Sequence, residues 1–243
     1  MPLGTAFWLA HARAAQGRRA AGLGVLDQLN RRPGERNFFA SVHFVRALHF
    51  AGDGDAPRVL AEAKALQADD PRMAGSLAVQ LARLGDMVHA RELAALLGPG
   101  TSNHELYLAM VEAQEGHGAQ ARARLRAVEA RNPQPRGGIA PAFLRGELAA
   151  AEGLDAEAVE ALRSFQGLYP LGYWRSWAWP RSLLLVARSL DRLGRREEAR
   201  AELDRFQRLW RSADAGLPSL AEARALRARL EESRRETPAT EAR

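Results

Sequence analysis

Residues 181–210 read "RSLLLVARSLDRLGRREEARAELDRFQRLW". Two apolar helical patterns flank a single glycine. Ala187 and Leu190 precede Gly194, and Ala199, Leu203 and Phe206 follow it at steps of four and three, which line one face of a helix. Glycine just past a helix end supplies the left-handed conformation that residues with side chains resist. Alanine at the closest crossing lets two antiparallel helices approach, and the larger apolar residues fill the seam between them. The stretch predicts one helix–turn–helix unit.

The pattern recurs outward from this unit. Glycines that follow an apolar helix stand at Gly17, Gly52, Gly85, Gly116, Gly153 and Gly194, at intervals of 35, 33, 31, 37 and 41 residues. Five residues after the last four of them come Ala90, Ala121, Ala158 and Ala199; Ala94, Leu125, Leu162 and Leu203 follow, then Leu97, Val128, Phe165 and Phe206. Pro133 and Pro170 lie seventeen residues after their glycines and end the second helix, because the residue before a proline is pushed off helical angles. A unit of this kind cannot bury both apolar faces alone, so neighbours must stack.

These residues resemble the tetratricopeptide repeat. Ala187, Leu190, Gly194, Ala199 and Phe206 stand where that motif has small, large, glycine, alanine and apolar residues, and Gly146, Gly153, Ala158 and Pro170 match in the unit before. The resemblance covers about residues 5–212. It implies an all-α, right-handed α-solenoid of about six helix–turn–helix units, near 5–36, 38–71, 72–101, 102–135, 139–172 and 180–213. Units one and two depart from the motif at Gly22 and Pro57, and Gly22 and Gly24 weaken their helix by about 1 kcal/mol each relative to alanine. Pro57 fits a first turn capped by Asp55. Ser219 and Glu222 read as a capping box opening a final helix over 219–232, within a single domain of 1–235 followed by a flexible tail at 236–243. The end of the chain is also similar to repeat regions of bacterial signalling proteins that carry a kinase or DNA-binding module.

Composition narrows the function class. There is no cysteine, which excludes disulfides, thiolate catalysis and cysteine-based metal sites. The net charge is +6, with Lys64 the only lysine, but residues 1–100 carry 12 basic against 9 acidic residues and the excess is evenly spread. A nucleic-acid footprint is a concentrated patch, so the charge argues against that partner. No run reaches the roughly 18 apolar residues of a membrane-spanning helix, and the start lacks a basic leader region. The chain is expected to be soluble and cytoplasmic. His11, His43, His49, His89, His104 and His117 form no i, i+4 zinc pair, "AGDGD" at 51–55 reads as a turn, and no phosphate loop occurs. No enzyme activity, metal or cofactor is expected.

Aromatics concentrate in "LYPLGYWRSWAWPRS", residues 168–182, with three of the five tryptophans. The long interval before Gly194 places the surplus at residues 173–179, between units five and six. Rings of this size favour burial over the seam between those units; the other readings are that Tyr173, Trp174 or Trp177 rim a groove and grip a peptide, or that the cluster anchors at a membrane interface, for which no basic amphipathic helix adjoins it.

First helices line the concave side in the tetratricopeptide family, and its partners lie there as peptides or helices. The resemblance places Phe7, His11, Phe39, Arg46, His49, Tyr107, Met110, Phe143, Glu147, Arg181 and Arg188 along that groove. Their mix of aromatic, Met and Arg side chains suits a protein partner with apolar anchors and some acidic character. The function expected is a protein-interaction scaffold, such as the regulatory or sensing array of a bacterial signalling protein. The alternative is a helical-repeat binder of single-stranded nucleic acid. An uncapped first unit, showing Phe7 and Trp8, also points to self-association through that end.

Overall fold

The computed structural model describes residues 3–30, 36–131, 141–167 and 177–236. These residues are helical throughout, with turns between and no strand among them. In chain order the helices are α1 (Leu3–Ala15), α2 (Arg19–Asn30), α3 (Arg36–Asp53), α4 (Ala56–Gln67), α5 (Pro71–Gly75), α6 (Ala78–Arg83) and α7 (Met87–Ala95). They continue as α8 (Ser102–Gln114), α9 (Gly118–Arg131), α10 (Pro141–Ala151), α11 (Asp155–Gly167), α12 (Ala178–Arg192), α13 (Arg196–Leu209) and α14 (Pro218–Glu236). Hairpin partners are α1 with α2, α3 with α4, α6 with α7, α8 with α9, α10 with α11 and α12 with α13. Each hairpin packs on the next, and α14 covers α12 and α13. This is an all-α solenoid of stacked hairpins.

The turn chemistry follows the glycines. Gly17, Gly85, Gly116, Gly153 and Gly194 all have positive φ. Unit two differs: α3 runs through Gly52, and Gly54, at φ 82°, makes the turn instead. Gly52 serves a close approach, since a Cβ there would lie 1.9 Å from Nη2 of Arg19. Asp55 caps α4 by accepting the Arg58 amide at 3.2 Å, with Pro57 in the first turn, where no N–H partner is required. Unit three also differs from a plain hairpin. Its first helix breaks between Gly75 and Ala78 into α5 and α6, and Asp70 caps the first piece through the Met73 amide at 2.9 Å.

Small residues set how closely the helices cross. Gly146 on α10 faces the buried Leu162 of α11, and a Cβ there would sit 2.4 Å from Cγ of Leu162. Gly24 on α2 has nothing within 4 Å of the same position. The two sites should therefore respond oppositely to alanine. Gly146→Ala overpacks a closed seam and is expected to cost about 1–3 kcal/mol. Gly24→Ala gains helix propensity and is expected to stabilise by up to about 1 kcal/mol. Urea denaturation of both variants checks this, and equal shifts would refute the packing reading of Gly146.

The array closes on itself. Trp210, just past α13, donates from Nε1 to the Ala15 carbonyl at 2.8 Å. The Asp214 amide donates to the Gly17 carbonyl at 3.0 Å, and the Ala20 amide donates to Oδ2 of Asp214 at 2.7 Å. Gly17 is needed for this fit, because a Cβ there would meet that of Ala213 at 2.8 Å and the Trp210 ring at 3.0 Å. An extended trough with a bare first unit was the expectation; instead the turn of the first hairpin is docked against the segment after the last one. Phe7 is buried and stacks edge-on with His11, while Trp8 stays 55% exposed on α1. The tail at 237–243 lies outside the described residues.

Candidate functional site

The first helices of successive units pack on one another, α1 on α3, α3 on α6, α6 on α8, α8 on α10 and α10 on α12, and α14 joins α12, so that together they form one layer, the inner face. Arg83 closes α6, Glu147 sits on α10, Arg181 and Arg188 stand two turns apart on α12, and Glu222 lies in the first turns of α14. Glu222 does not complete the capping box expected with Ser219. It accepts from Arg181 at 2.7 Å and from Arg188 at 3.0 Å, tying the last helix across the inner face. Arg83 pairs with Glu147 at 3.3 Å, and its guanidinium stands over the Trp177 ring at 4.7 Å. Trp177 in turn meets Phe143 edge-on, 5.3 Å between centroids. Units three, five and six thus converge on one spot, with Arg83 reaching from unit three past unit four to Glu147.

Burial lowers the pKa of Arg83, offset in part by Glu147, with Arg181 pushing the same way as burial. Glu222 is pulled below the ordinary carboxylate range by its two arginines, against the opposing effect of burial. The cluster sets three arginines against two glutamates. Nη1 of Arg83 and Nε of Arg181 are buried donors with no hydrogen-bond acceptor. A buried donor left unmade costs about 1–3 kcal/mol, so this face can gain from an incoming acceptor.

The other residues assigned to the groove are placed differently. His11, His49, Tyr107, Met110 and Phe143 are buried, as is Phe7, and they pack between hairpins. Arg46 is partly exposed and held by Asp27 at 2.6 Å and Glu62 at 2.8 Å. The side chain of Phe39, and Tyr173 and Trp174, lie outside the described residues. Glu147, Arg181, Arg188 and Trp177, with the buried Phe143 against Trp177, are the assigned residues that meet in one place. Arg83 and Glu222 complete the set and were not singled out by sequence: Glu222 looked like a cap, and Arg83 is one arginine among many at a helix end.

α12 begins at Ala178, two residues ahead of the expected start near Pro180, so Trp179 belongs to the helix and not to an insertion. Pro180 is accommodated in the first turn, where its missing N–H leaves nothing unpaired. Trp177 and Trp179 are both half-buried against the core. Among the described residues no three His, Asp or Glu side chains gather as a metal site, and no helix is long and apolar enough to cross a membrane.

No family model and no curated protein sequence matches the chain. Among solved structures, one described as "Functional Characterization of Pseudomonas Aeruginosa pilF" is similar over 93% of this chain and 97% of its own. The identity is 17% and the TM-score 0.46, too low for either to inform function. The solenoid stands on its own helix pairing.

Proposed function

We propose that this chain is a non-catalytic protein-interaction scaffold that takes a partner segment on its inner face, with an acidic side chain set against Arg83 and Arg181. The observation that carries this is the pair of buried guanidinium donors without acceptors, beside the partly exposed ring of Trp177, one face of which Arg83 covers. A carboxylate matches guanidinium geometry better than a neutral acceptor does, and charge-assisted bonds of this kind are worth about twice a neutral one. Single-stranded nucleic acid fits less well, because Glu147 and Glu222 line the same face and would repel a phosphate chain.

As the sensing or regulatory array of a larger bacterial signalling protein, the chain would transmit partner binding through the contact between its two ends. Selection from a displayed random-peptide library tests the reading. Enriched sequences are expected to pair an acidic residue with an aromatic or large aliphatic one. Their affinity should fall at least ten-fold in Arg181→Gln/Arg188→Gln. Peptides without acidic residues, or peptides that bind the double variant equally well, would refute it. A twenty-nucleotide single strand binding with steep salt dependence would instead support the nucleic-acid alternative.

A further inference from the structure

Arginine after arginine in this array is already committed. Arg46 is tied to Asp27 and Glu62, Arg122 to Glu152 and Glu157, Arg192 to Asp155, and Arg200 to the Leu230 carbonyl. The side chains of Arg18, Arg208 and Arg211 make no hydrogen bond or ion pair among the described residues. All three line one cavity of about 460 Å³, together with Gln16, Trp179, Leu209 and Ser212. The cavity exists because the array closes. Gln16 and Arg18 come from the α1–α2 turn, Trp179 from the start of α12, and residues 208–212 from the end of α13 and beyond.

From this we propose that the closing seam is a binding site for a small phosphate-bearing molecule with a flat ring. Three solvent-exposed arginines without protein partners line one open pocket, and phosphate oxygens accept from guanidinium forks in pairs. The Gln16 amide and Ser212 hydroxyl add neutral donors. Trp179 offers an apolar ring wall, and the volume falls in the range of small-molecule sites. α12, fifteen residues long, has no capping side chain at its N-terminus, so its unbonded amides and dipole add positive potential near Trp179. The carboxylate next in sequence, Asp214, is turned to the Ala20 amide. Because the walls come from both ends of the array, an occupied site holds the ends together, and binding stabilises the closed form by mass action. The site is separate from the inner face and does not rest on the reading given for it.

Isothermal titration and thermal melting of the full chain, at fixed ionic strength, test the proposal with inorganic pyrophosphate, ADP and a triglutamate peptide. Pyrophosphate and ADP should bind and raise the melting temperature, with ADP the tighter. Triglutamate should be at least ten-fold weaker than pyrophosphate. Arg208→Gln/Arg211→Gln should weaken ADP at least ten-fold, Trp179→Phe should narrow the gap between ADP and pyrophosphate, and Arg72→Gln, an unpaired arginine elsewhere, should change nothing. Absence of binding, equal binding by the double variant, or triglutamate binding as well as pyrophosphate would each overturn the proposal.

Discussion

Trp210→Ala is expected to cost the fold about 3–5 kcal/mol and to divide its unfolding into two steps. The first part follows from burial. Trp210 is 6% exposed, packs on Phe206 at 4.8 Å between centroids and has its indole N–H satisfied by the Ala15 carbonyl at 2.8 Å. Truncating a buried tryptophan leaves a cavity and costs about 3–5 kcal/mol, and the Ala15 carbonyl loses its donor. The second part follows from where the contact lies. In a stacked array each hairpin is stabilised by its neighbours alone, so an untied end frays first. Here α1 and α2 are held from two sides, by α3 and by the segment at 210–214. Without Trp210 the second hold is reduced to the hydrogen bonds of Asp214 with Gly17 and Ala20. Urea denaturation should show a lower slope and an early phase, and amide exchange in α1 and α2 should accelerate ahead of α12. Trp210→Phe keeps most of the apolar area and should cost about 1–2 kcal/mol with one transition retained. If Trp210→Ala unfolds in a single transition with unchanged exchange in α1 and α2, the ends do not stabilise each other.

Acid should destabilise the chain well before its carboxylates titrate. His11 and His49 are 5% and 0% exposed between the first two hairpins. Burial lowers the pKa of His11 to about 4. The same cause, with Arg19 and His11 adding repulsion, lowers His49 to about 3, against smaller opposing effects from the Ala10 carbonyl and Asp214. The sign follows from which state binds protons. Both rings are neutral in the fold down to these values, whereas the unfolded chain takes up protons below about pH 6.5, so stability falls as pH drops through that window. Each histidine contributes about 1.4 kcal/mol per pH unit well inside the window, and the pair should remove about 4 kcal/mol between pH 7.5 and 5. Glu62 and Glu222 have lowered pKa values and add their own loss only at more acidic pH, as they become protonated. In His11→Leu/His49→Leu the difference between pH 7.5 and pH 5 should shrink below about 1 kcal/mol. A parent chain equally stable at both values would show that the two rings are solvated.

The buried histidines mark where sequence register stops being informative. His11 and His49 were placed on the groove because first helices line the concave side, and both do sit on first helices. Register assigns a residue to a helix face; it does not say how near the neighbouring helix comes. Gly22 decides that for His49, since a Cβ there would stand 2.2 Å from its Cε1. A residue read as a weakness of α2 thus proves to be what lets α2 approach. The broken first helix of unit three has a similar origin. "PRMAGSLAVQLAR" carries helical apolar spacing throughout, and the break falls where Gly75 comes within 2.9 Å, at its Cβ position, of the Leu93 carbonyl. The inner-face cluster was half legible: Glu147, Arg181 and Arg188 carry the right register, but Arg83 joins them only by reaching past unit four.

Local chemistry along the chain determined the hairpins: glycine beyond each first helix, alanine at the crossings, acidic caps and proline in first turns all act within a few residues. Tertiary structure alone decided that the ends meet. Curvature is the sum of small rotations between units, each set by close contacts such as those at Gly22, Gly75 and Gly146, and no single unit encodes that sum. Trp210 and Ala15 stand 195 residues apart, and only the completed turn of the array brings the donor to its acceptor.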